Sequence, residues 1–320
     1  MSRNLVEVAC QLLSEKYVYP DRAAAAAGEI RARALGGEYD GLGEIALGQR
    51  LTGQLFDLCA DKHLLVRLRD AGPAGRTGAQ DSAAAWREYQ RLTAYRIARV
   101  ERLEGNVGYI DLHGVVDPAL GGRAIAAAME LVADTGALII DLRRNRGGYP
   151  EGVVFWCSYF FPDAKTHLND IYHRATGQTR QYWTLAFLPG ARYLDRPVYL
   201  LTSDFTFSGG EDLAYTLQAQ GRATLIGQTT RGGAHPTEAF PITDTLEITI
   251  PTRRSINPIT GTNWEGTGVT PDIEMPAEQA YPVAYEMALR DVLATSSSPF
   301  IVDEATAALA GLQAESNAAG

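Results

Sequence analysis

The feature that most constrains the fold is an alternation of short apolar strands with helices between residues 137 and 227. Continuous apolar runs predict three buried strands, and the longer segments between them predict two helices. The strands are Ala137–Leu142, Pro197–Thr202 and Ala223–Gly227, and the helices are Glu151–Phe161 and Gly209–Gln220. Because buried strands that alternate with helices are typical of a parallel or mixed sheet, the sequence predicts an α/β core.

The first hundred residues differ from this core, since their apolar residues recur at helical spacing. We therefore predict a small helical subdomain over residues 1–98 and an α/β core over residues 99–320. The helical subdomain contains a strand-like segment at Asp61–Leu68, where side chains alternate. Within the core we expect an edge strand at Leu246–Ile250 and a closing helix at Pro276–Leu293.

Asp and Glu outnumber Lys and Arg by 38 to 29, which gives a formal net charge of −9. Binding to nucleic acid or to an anionic membrane requires clustered Lys and Arg, so we expect neither partner. The longest apolar run is too short for a membrane-spanning helix, and residues 1–16 lack the apolar core of a signal peptide. Three widely spaced cysteines form neither a disulfide framework nor a zinc motif. We expect a soluble, cytoplasmic protein with buried thiols.

Ser208 lies at a corner where a predicted strand ends and a predicted helix begins, within Thr202–Glu211. Unpaired N–H groups at a helix N-terminus favour negative charge, which suits a nucleophilic serine because an oxyanion develops beside it. Gly209 and Gly210 allow the backbone to approach a ligand closely. Serine is also a preferred helix cap, so this motif alone leaves both roles open.

A second corner, Asp141–Gly148, also follows a predicted strand and precedes a helix. The N–H groups of Gly147 and Gly148 would face the crevice at the carboxyl end of the sheet, where α/β proteins bind ligands. The glycine spacing matches neither a dinucleotide fingerprint nor a phosphate loop. An ordinary turn is the alternative explanation for this glycine pair.

A serine nucleophile needs a base, and histidine suits that role near neutral pH. The residue type alone does not rank the five histidines, which stand at positions 63, 113, 167, 173 and 235. Glu265 lies in a Gly-rich turn and is of a type that can orient an imidazole. A solvated turn acid is the commoner role of such a residue.

Taken in order, these segments resemble the C-terminal processing (tail-specific) peptidase family. The family's Asp-Leu-Arg-x-Asn-x-Gly-Gly, Ser-x-x-Glu and Gly-Val-x-Pro-Asp-Ile motifs occur here at Asp141–Gly148, Ser208–Glu211 and Gly268–Ile273. The resemblance spans residues 103–275, and Asp61–Lys62–His63 in the helical region fits the same family. It implies a ClpP- or crotonase-like core with a mixed sheet.

The family contains two catalytic patterns. The tail-specific branch pairs the serine with a lysine in a Thr-x-Gly-Lys stretch, and Gly233 stands here in place of that lysine. Arg231 does not replace it, because a guanidinium keeps its proton near neutral pH. A Ser–Lys dyad is therefore excluded. The resemblance is to the other branch, which includes the tricorn protease core and the interphotoreceptor retinoid-binding protein modules.

For this branch the resemblance implies a Ser–His–Glu triad at Ser208, His63 and Glu265. His63 would take the proton of Ser208 as the hydroxyl attacks an amide or peptide carbonyl, and Glu265 would hold His63 in the useful tautomer. Lys62 stands where relatives often have serine, and a cation there would lower the pKa of His63. His113 and His235 are the rival bases.

The resemblance also implies an oxyanion hole made by N–H groups of Gly209 and of Gly147 or Gly148. It implies no metal and no organic cofactor. The expected partner is a peptide or a small amide or ester substrate, and the resemblance is compatible with a homo-oligomer because relatives assemble. The sequence does not decide whether Asp70–Ala83 or His167–Pro189 forms a lid over the site.

Two other functions stay open at this point, since fold does not fix function. The retinoid-binding relatives hold apolar ligands, and Val153–Phe161 with Tyr182 and Trp183 would either line such a pocket or form a core helix. Alternatively, the chain is a hydrolase or acyl transferase acting on a small non-protein metabolite, because no recognition domain of the PDZ type is apparent.

Overall fold

A computed structural model describes residues 2–69, 79–162 and 165–319 of the chain. The helices α1 to α9 are Ser2–Lys16, Pro20–Leu35, Glu44–Cys59, Ala79–Leu92, Pro118–Leu131, Pro150–Ser158, Gly209–Ala219, Ala277–Thr295 and Pro299–Ala319. The strands β1 to β12 are Leu65–Leu68, Ile97–Leu103, Val107–Leu112, Ala137–Asp141, His167–His173, Gln178–Trp183, Val198–Thr202, Thr224–Gly227, Thr237–Pro241, Leu246–Pro251, Arg253–Ile256 and Ile273–Glu274.

A six-stranded mixed sheet forms the centre of the α/β core, with the strand order β12-β8-β7-β4-β3-β2. Neighbouring strands from β12 to β3 run parallel, and β2 pairs antiparallel with β3 as a hairpin. Strands β4 and β7 are adjacent, so their carboxyl ends meet at one edge of the sheet. This confirms the predicted α/β class and brings the two predicted corners together.

Both faces of this sheet are buried, because successive side chains of a strand point to opposite faces. On β4, Leu138 and Ile140 pack in one cluster with α5, α6 and α7, whereas Ala137 and Ile139 pack in another with α8 and α9. The predicted strands and helices between residues 137 and 227 are thus confirmed. The helix α9 was not predicted, and it covers Leu289 and the hairpin turn at Gly105.

The helices α1 to α3 form a further core together with a strand from the far end of the chain. Strand β10 pairs with β1 on one side and β9 on the other, and Leu246, Ile248 and Ile250 pack among the helices. The expectation of an edge strand at Leu246–Ile250 is therefore wrong, since β10 is the central strand of its sheet. Pairing with β1 supplies the second neighbour, which local alternation does not reveal.

A third sheet has the order β11-β5-β6 and was not predicted. Its strands carry many polar and half-exposed residues, so they lack the apolar run that marks a buried strand.

Cys10, Cys59 and Cys157 are buried free thiols, as predicted. Within the described part of the chain, no helix combines the length and apolarity that a membrane crossing requires. Residues 70–78 of the predicted loop Asp70–Ala83 lie outside the described residues.

Candidate active site

Ser208 occupies the turn between β7 and α7 in an unusual backbone conformation, with φ +54° and ψ −121°. A positive φ is costly for a residue with a side chain, and such strain persists only where surrounding contacts impose it. Hydrogen bonds fix the two residues before Ser208, from Thr206 Oγ1 to the Leu142 carbonyl at 2.8 Å and from Phe207 N to the Asn145 carbonyl at 3.0 Å. The serine is thus held at the N-terminus of α7.

Glu211 organises the backbone beneath Ser208 and is fully buried. Its carboxylate accepts hydrogen bonds from the N–H groups of Ser208 at 2.7 Å, Gly232 at 2.6 Å and Gly233 at 2.9 Å. The hydroxyl of Thr230 donates a fourth at 2.5 Å. Burial raises the pKa of Glu211, while these four donors act in the opposite direction. The carboxylate therefore joins the serine turn to the segment that follows β8.

The second corner packs directly against the serine turn, and Asn145 connects the two. Asn145 is fully buried, donates from Nδ2 to the Leu112 carbonyl at 2.9 Å, and accepts the Gly147 N–H at 2.8 Å. A Cβ at Gly147 would lie 2.7 Å from Ser208 Cβ, and a Cβ at Gly209 would lie 2.9 Å from Gly148 N. The glycines are required because the two backbones touch.

The N–H groups of Gly148 and Gly209 are the ones left free at this contact. Gly147 donates to Asn145, so its N–H is not available to a ligand. Among the described residues, no backbone carbonyl accepts the N–H of Gly148 or the N–H of Gly209, which is the first residue of α7. Of the two alternatives that the sequence left for the second donor, the structure offers Gly148. Two N–H groups close to Ser208 are what an oxyanion hole needs.

His63 reaches this corner from the helical end of the chain. Ala60 ends α3 in a left-handed conformation, and the Asp61 carboxylate accepts the His63 N–H at 2.9 Å. The His63 carbonyl then accepts the Thr249 hydroxyl of β10 at 2.6 Å. The imidazole stacks on Phe207, the residue before Ser208, with ring centroids 4.5 Å apart. The pairing of β1 with β10 therefore delivers the histidine to the serine turn.

The imidazole of His63 has no hydrogen bond from either nitrogen to a described residue. Nδ1 is buried and lies 3.9 Å from Asp61 Oδ1. Burial lowers the pKa of His63 to about 4, while the Asp61 charge acts in the opposite direction. Lys62, which the sequence suggested as the cause of a lower pKa, points its ammonium at the Arg231 carbonyl instead. His63 is therefore a neutral imidazole with an unused ring nitrogen.

We predict that this buried histidine makes stability pH-dependent between its ordinary pKa of 6.5 and about 4. In that window the unfolded chain binds a proton that the folded chain rejects, so stability falls as the pH falls, by up to about 3 kcal/mol. His63→Gln should lose less stability than the wild type. Urea unfolding of both proteins at about pH 7 and about pH 4.5 gives the stability that each loses on acidification. Subtracting the two losses cancels the contribution of titrating groups that both proteins share. Parallel losses would contradict a buried neutral His63.

His235, the rival base, lies in a separate cluster and uses both ring nitrogens. Nδ1 lies 2.9 Å from Asp61 Oδ2 and 3.3 Å from Glu265 Oε2, and Nε2 lies 3.2 Å from the Tyr19 hydroxyl. Since a carboxylate only accepts, Nδ1 is the donor to Asp61. The ring is 1% exposed. His235 is therefore held as a structural bridge, although it lines the same small cavity as Ser208.

The two carboxylates around His235 have opposite pKa shifts. Burial raises the pKa of Glu265 to about 7, and the charge of Asp61 adds to this rise. Burial also raises the pKa of Asp61, but the hydrogen bond and charge of His235 and the proximity of His63 lower it overall. The ligand-type atoms of Asp61, His235 and Glu265 lie within 4.8 Å of one another, a spacing compatible with a metal ion. Asp61 Oδ2 pairs with His235 Nδ1 and Glu265 Oε2 accepts the Ala234 N–H, whereas Glu265 Oε1 is buried without a hydrogen-bond partner among the described residues.

The structure therefore brings Ser208, Gly209, Gly148 and His63 to one corner and places Glu265 beside it. Among the described residues, the histidine nitrogen beside the Glu265 carboxylate is His235 Nδ1, at 3.3 Å, and not a nitrogen of His63. The role of Glu265 as the partner of His63 stays a prediction. His113 lies across the glycine loop, with Nε2 3.1 Å from Asp111 Oδ1, in a groove lined also by Gly147 and Gly148.

Gly233 explains why a histidine and a lysine are alternatives at this site. A Cβ at position 233 would lie 2.6 Å from His63 Cε1 and would overlap the Phe207 ring. Ordinary carbon contacts are about 3.5–4.0 Å, so no side chain fits at position 233 while the imidazole is there. A lysine at position 233 and the stacked His63 would therefore exclude each other.

Three residues that support the site had no assigned role in the sequence analysis. Asp61 holds both histidines, Glu211 holds the serine turn, and Asn145 holds the glycine loop. Each lies in a motif quoted above. The Ser-x-x-Glu spacing of Ser208 and Glu211 is also a capping-box signal, which would have identified the glutamate as a backbone acceptor.

A mixed sheet with a serine turn and a glycine loop at adjacent strand ends has the layout of a ClpP- or crotonase-like α/β protein. The family model "Peptidase family S41" matches residues 106–275, more than half of the chain, and the chain belongs to this family. The carboxyl-terminal-processing protease of Synechocystis is 29% identical over 147 residues, covering 45% of this chain and 32% of that protein. The chain thus matches less than half of that relative's length.

Solved structures show the same fold at low sequence identity. The photosystem II D1 C-terminal processing protease superimposes with a TM-score of 0.57 and 15% identity, covering 94% of this chain and 99% of that one. A lipoprotein from Streptococcus agalactiae superimposes with a TM-score of 0.59 and 15% identity, covering 88% of this chain and 95% of that one. The likeness extends over the helical region as well as the core, which confirms the predicted fold class.

Proposed function

We propose that this chain is a serine-type peptidase that cleaves an amide or peptide bond through an acyl-enzyme. The observation that carries the proposal is the strained serine, because Ser208 is held at positive φ at a helix N-terminus beside two free N–H groups. A helix cap alone needs neither the strain nor the free donors. Membership of peptidase family S41 supports the same activity.

In the proposed mechanism, Ser208 Oγ attacks the substrate carbonyl while His63 accepts its proton. The N–H groups of Gly148 and Gly209 stabilise the oxyanion, and His63 then protonates the leaving amine. Water releases the acyl group by the same steps in reverse order. Ser208 and His63 are not hydrogen-bonded to each other in this structure, and such contacts commonly tighten only when substrate binds. A neutral His63 with an unused nitrogen is suited to begin this cycle.

The carboxylate of the triad has two candidates. The family resemblance assigns it to Glu265, whose charge would stabilise a protonated His63. Asp61 is the carboxylate that the structure puts beside His63, with Nδ1 and Oδ1 3.9 Å apart. Glu265 and Asp61 both lie beside His235, and Asp61 is the one whose pKa the neighbouring His63 lowers. Glu265 remains our first assignment, and Asp61 is a positioning residue that holds both histidines.

The alternative of an apolar-ligand binding protein is not favoured. The side chains of Val153–Phe161 that would line its pocket fill the core instead, and Trp156 and Tyr159 are fully buried there. Tyr182 packs against the same core, whereas Trp183 stacks on His167 at the surface. This segment therefore forms a core helix, which was the second of the two alternatives for it in the sequence analysis.

Labelling with a fluorophosphonate probe tests the proposal without knowledge of the substrate, because the probe reacts with activated serines. We expect the wild type to label and Ser208→Ala to stay unlabelled. His63→Ala should also abolish labelling if His63 is the base. His235→Phe, which keeps a ring in that position, should lower the labelling rate only through its effect on Asp61.

The matched control is Ser203→Ala, because Ser203 lies in the same turn and its hydroxyl donates to the Arg143 carbonyl at 2.7 Å. That variant should still be labelled. Labelling retained in His63→Ala but lost in His235→Phe would exchange the two histidines in the mechanism. A folded wild type that does not react with the probe would overturn the proposed function.

A further inference from the structure

A small cavity adjoins the serine turn and contains an acidic side chain that the proposed mechanism does not use. It has a volume of about 50 Å³. Its walls include Ser208, Gly148 and Gly209, so it opens at the point where a substrate carbonyl would sit. The acidic side chain in its wall is that of Asp212.

Asp212 stands one helical turn after Ser208 on α7, so both side chains lie on the same side of the helix. It is 6% exposed, and among the described residues it has no ion-pair partner. Its hydrogen bonds are long, at 3.3 Å from Asn169 Nδ2 to each carboxylate oxygen and 3.2 Å from Thr216 Oγ1. Burial raises the pKa of Asp212 to about 6, so the group is ionised above that pH.

An acceptor beside Asp212 lacks a donor. Asn169 on β5 is 4% exposed, and its Oδ1 atom is buried without a hydrogen-bond partner. The orientation of the amide follows from Asp212, because only Nδ2 can donate to a carboxylate. An unmatched buried acceptor is destabilising, because it has lost its hydrogen bonds to water. The amide oxygen is therefore unmatched, and both Asp212 oxygens are held only by long hydrogen bonds.

Resting on the proposed peptidase function, we infer that this cavity receives the substrate side chain next to the scissile carbonyl and that Asp212 selects a small side chain carrying a hydrogen-bond donor. A cavity of about 50 Å³ has about a third of the volume of an apolar cavity of about 150 Å³ that holds benzene. It admits a side chain the size of serine and excludes leucine. The donor gives the Asp212 carboxylate a further hydrogen bond, whereas a hydrocarbon side chain of the same size would leave it with only its long contacts to Asn169 and Thr216.

The test compares N-acylated amino-acid p-nitrophenyl esters that differ only in the side chain. Serine and 2-aminobutyrate have nearly the same shape, but only serine carries a donor, and leucine tests the size limit. We expect kcat/KM for serine to exceed that for 2-aminobutyrate by about 10- to 100-fold, because sites built to hydrogen-bond a substrate reject the analogue that lacks the donor. Leucine should be the poorest of the three substrates.

The variant Asp212→Asn keeps the size of the side chain and removes its charge. It should lower the serine preference to within about 3-fold of unity while fluorophosphonate labelling continues, which separates specificity from the nucleophile. Asp204→Asn, an exposed aspartate on the loop before Ser208, is the matched control and should keep the wild-type preference.

Each outcome decides a different point. Labelling of the wild type with equal rates for serine and 2-aminobutyrate overturns the assignment of Asp212 and leaves the peptidase proposal standing. A wild-type protein that is folded but unlabelled overturns both. Should Asp212→Asn fail to fold, the comparison of the three esters on the wild type still supports or overturns the inference, because it needs no variant.

Discussion

Replacing Ser208 by alanine should lower kcat/KM for any amide or ester substrate of this chain by about 10⁴- to 10⁶-fold. Alanine lacks the hydroxyl that forms the acyl-enzyme, so only the N–H groups of Gly148 and Gly209 and substrate binding remain. The residual rate would come from water that attacks a carbonyl held in the oxyanion hole. Hydrolysis of a p-nitrophenyl ester, measured beside the wild type at equal protein concentration, gives the ratio.

The folded state should survive this change, because the contact of the Ser208 hydroxyl stays within its own helix turn, in the capping box with Glu211. A second variant, Ser208→Gly, is as inactive in this prediction but is more stable than Ser208→Ala by about 1 kcal/mol, since glycine adopts a positive φ without a Cβ penalty. Urea unfolding measures that difference. Turnover within 10-fold of the wild type in either variant would show that Ser208 is not the nucleophile.

Replacing Gly148 by alanine should destabilise the protein by about 4 kcal/mol or more, the largest stability effect we predict. Gly148 has φ +151°, and a Cβ there would overlap the carbonyl oxygen of Val115. That carbonyl accepts the Tyr149 N–H at 2.8 Å and the Val115 N–H donates to the Gly147 carbonyl at 2.9 Å, so backbone is held on both sides. The clash can be relieved only by moving the loop that carries the oxyanion donor.

Gly177→Ala is the matched control for this prediction. Gly177 also has a positive φ, +65°, but no heavy atom lies within 4 Å of its Cβ position. Its replacement should cost only the conformational penalty, about 1 kcal/mol. Chemical unfolding of both variants separates steric overlap from backbone conformation. Equal losses of stability in the two variants would show that the overlap with Val115 does not destabilise the fold. If Gly148→Ala remains folded, it should also slow fluorophosphonate labelling.

Local pattern was sufficient for the elements of the central sheet. Apolar strands such as β4 and β7 are defined by consecutive residues, and the helix after each is defined by its own periodicity, so neither depends on distant contacts. The motifs at Asp141–Gly148 and Ser208–Glu211 were enough to predict both corners, but not that they are in contact. The contact follows from the adjacency of β4 and β7, because parallel neighbouring strands end at the same edge of the sheet.

The polar strands were not predictable in this way. Strands β5 and β6 gain their order from pairing with β11 and with each other, and their sequences contain too many exposed polar residues for an apolar pattern. Pairing with a distant strand also explains the wrong prediction for β10. The alternation of its residues is that of any half-buried strand, and its central place in the sheet depends on β1, which is distant in the sequence.

Residue type at a fixed spacing was enough to predict the α/β core, the serine at a strand end, the glycine loop and the absence of a lysine at position 233. The folded contacts were needed to show which histidine has an unused nitrogen, that Gly148 and not Gly147 has a free N–H, and that Asp61 joins His63 to His235. Those outcomes depend on hydrogen bonds between segments far apart in the chain, and a buried donor or acceptor is matched by whatever partner the folded packing brings within reach.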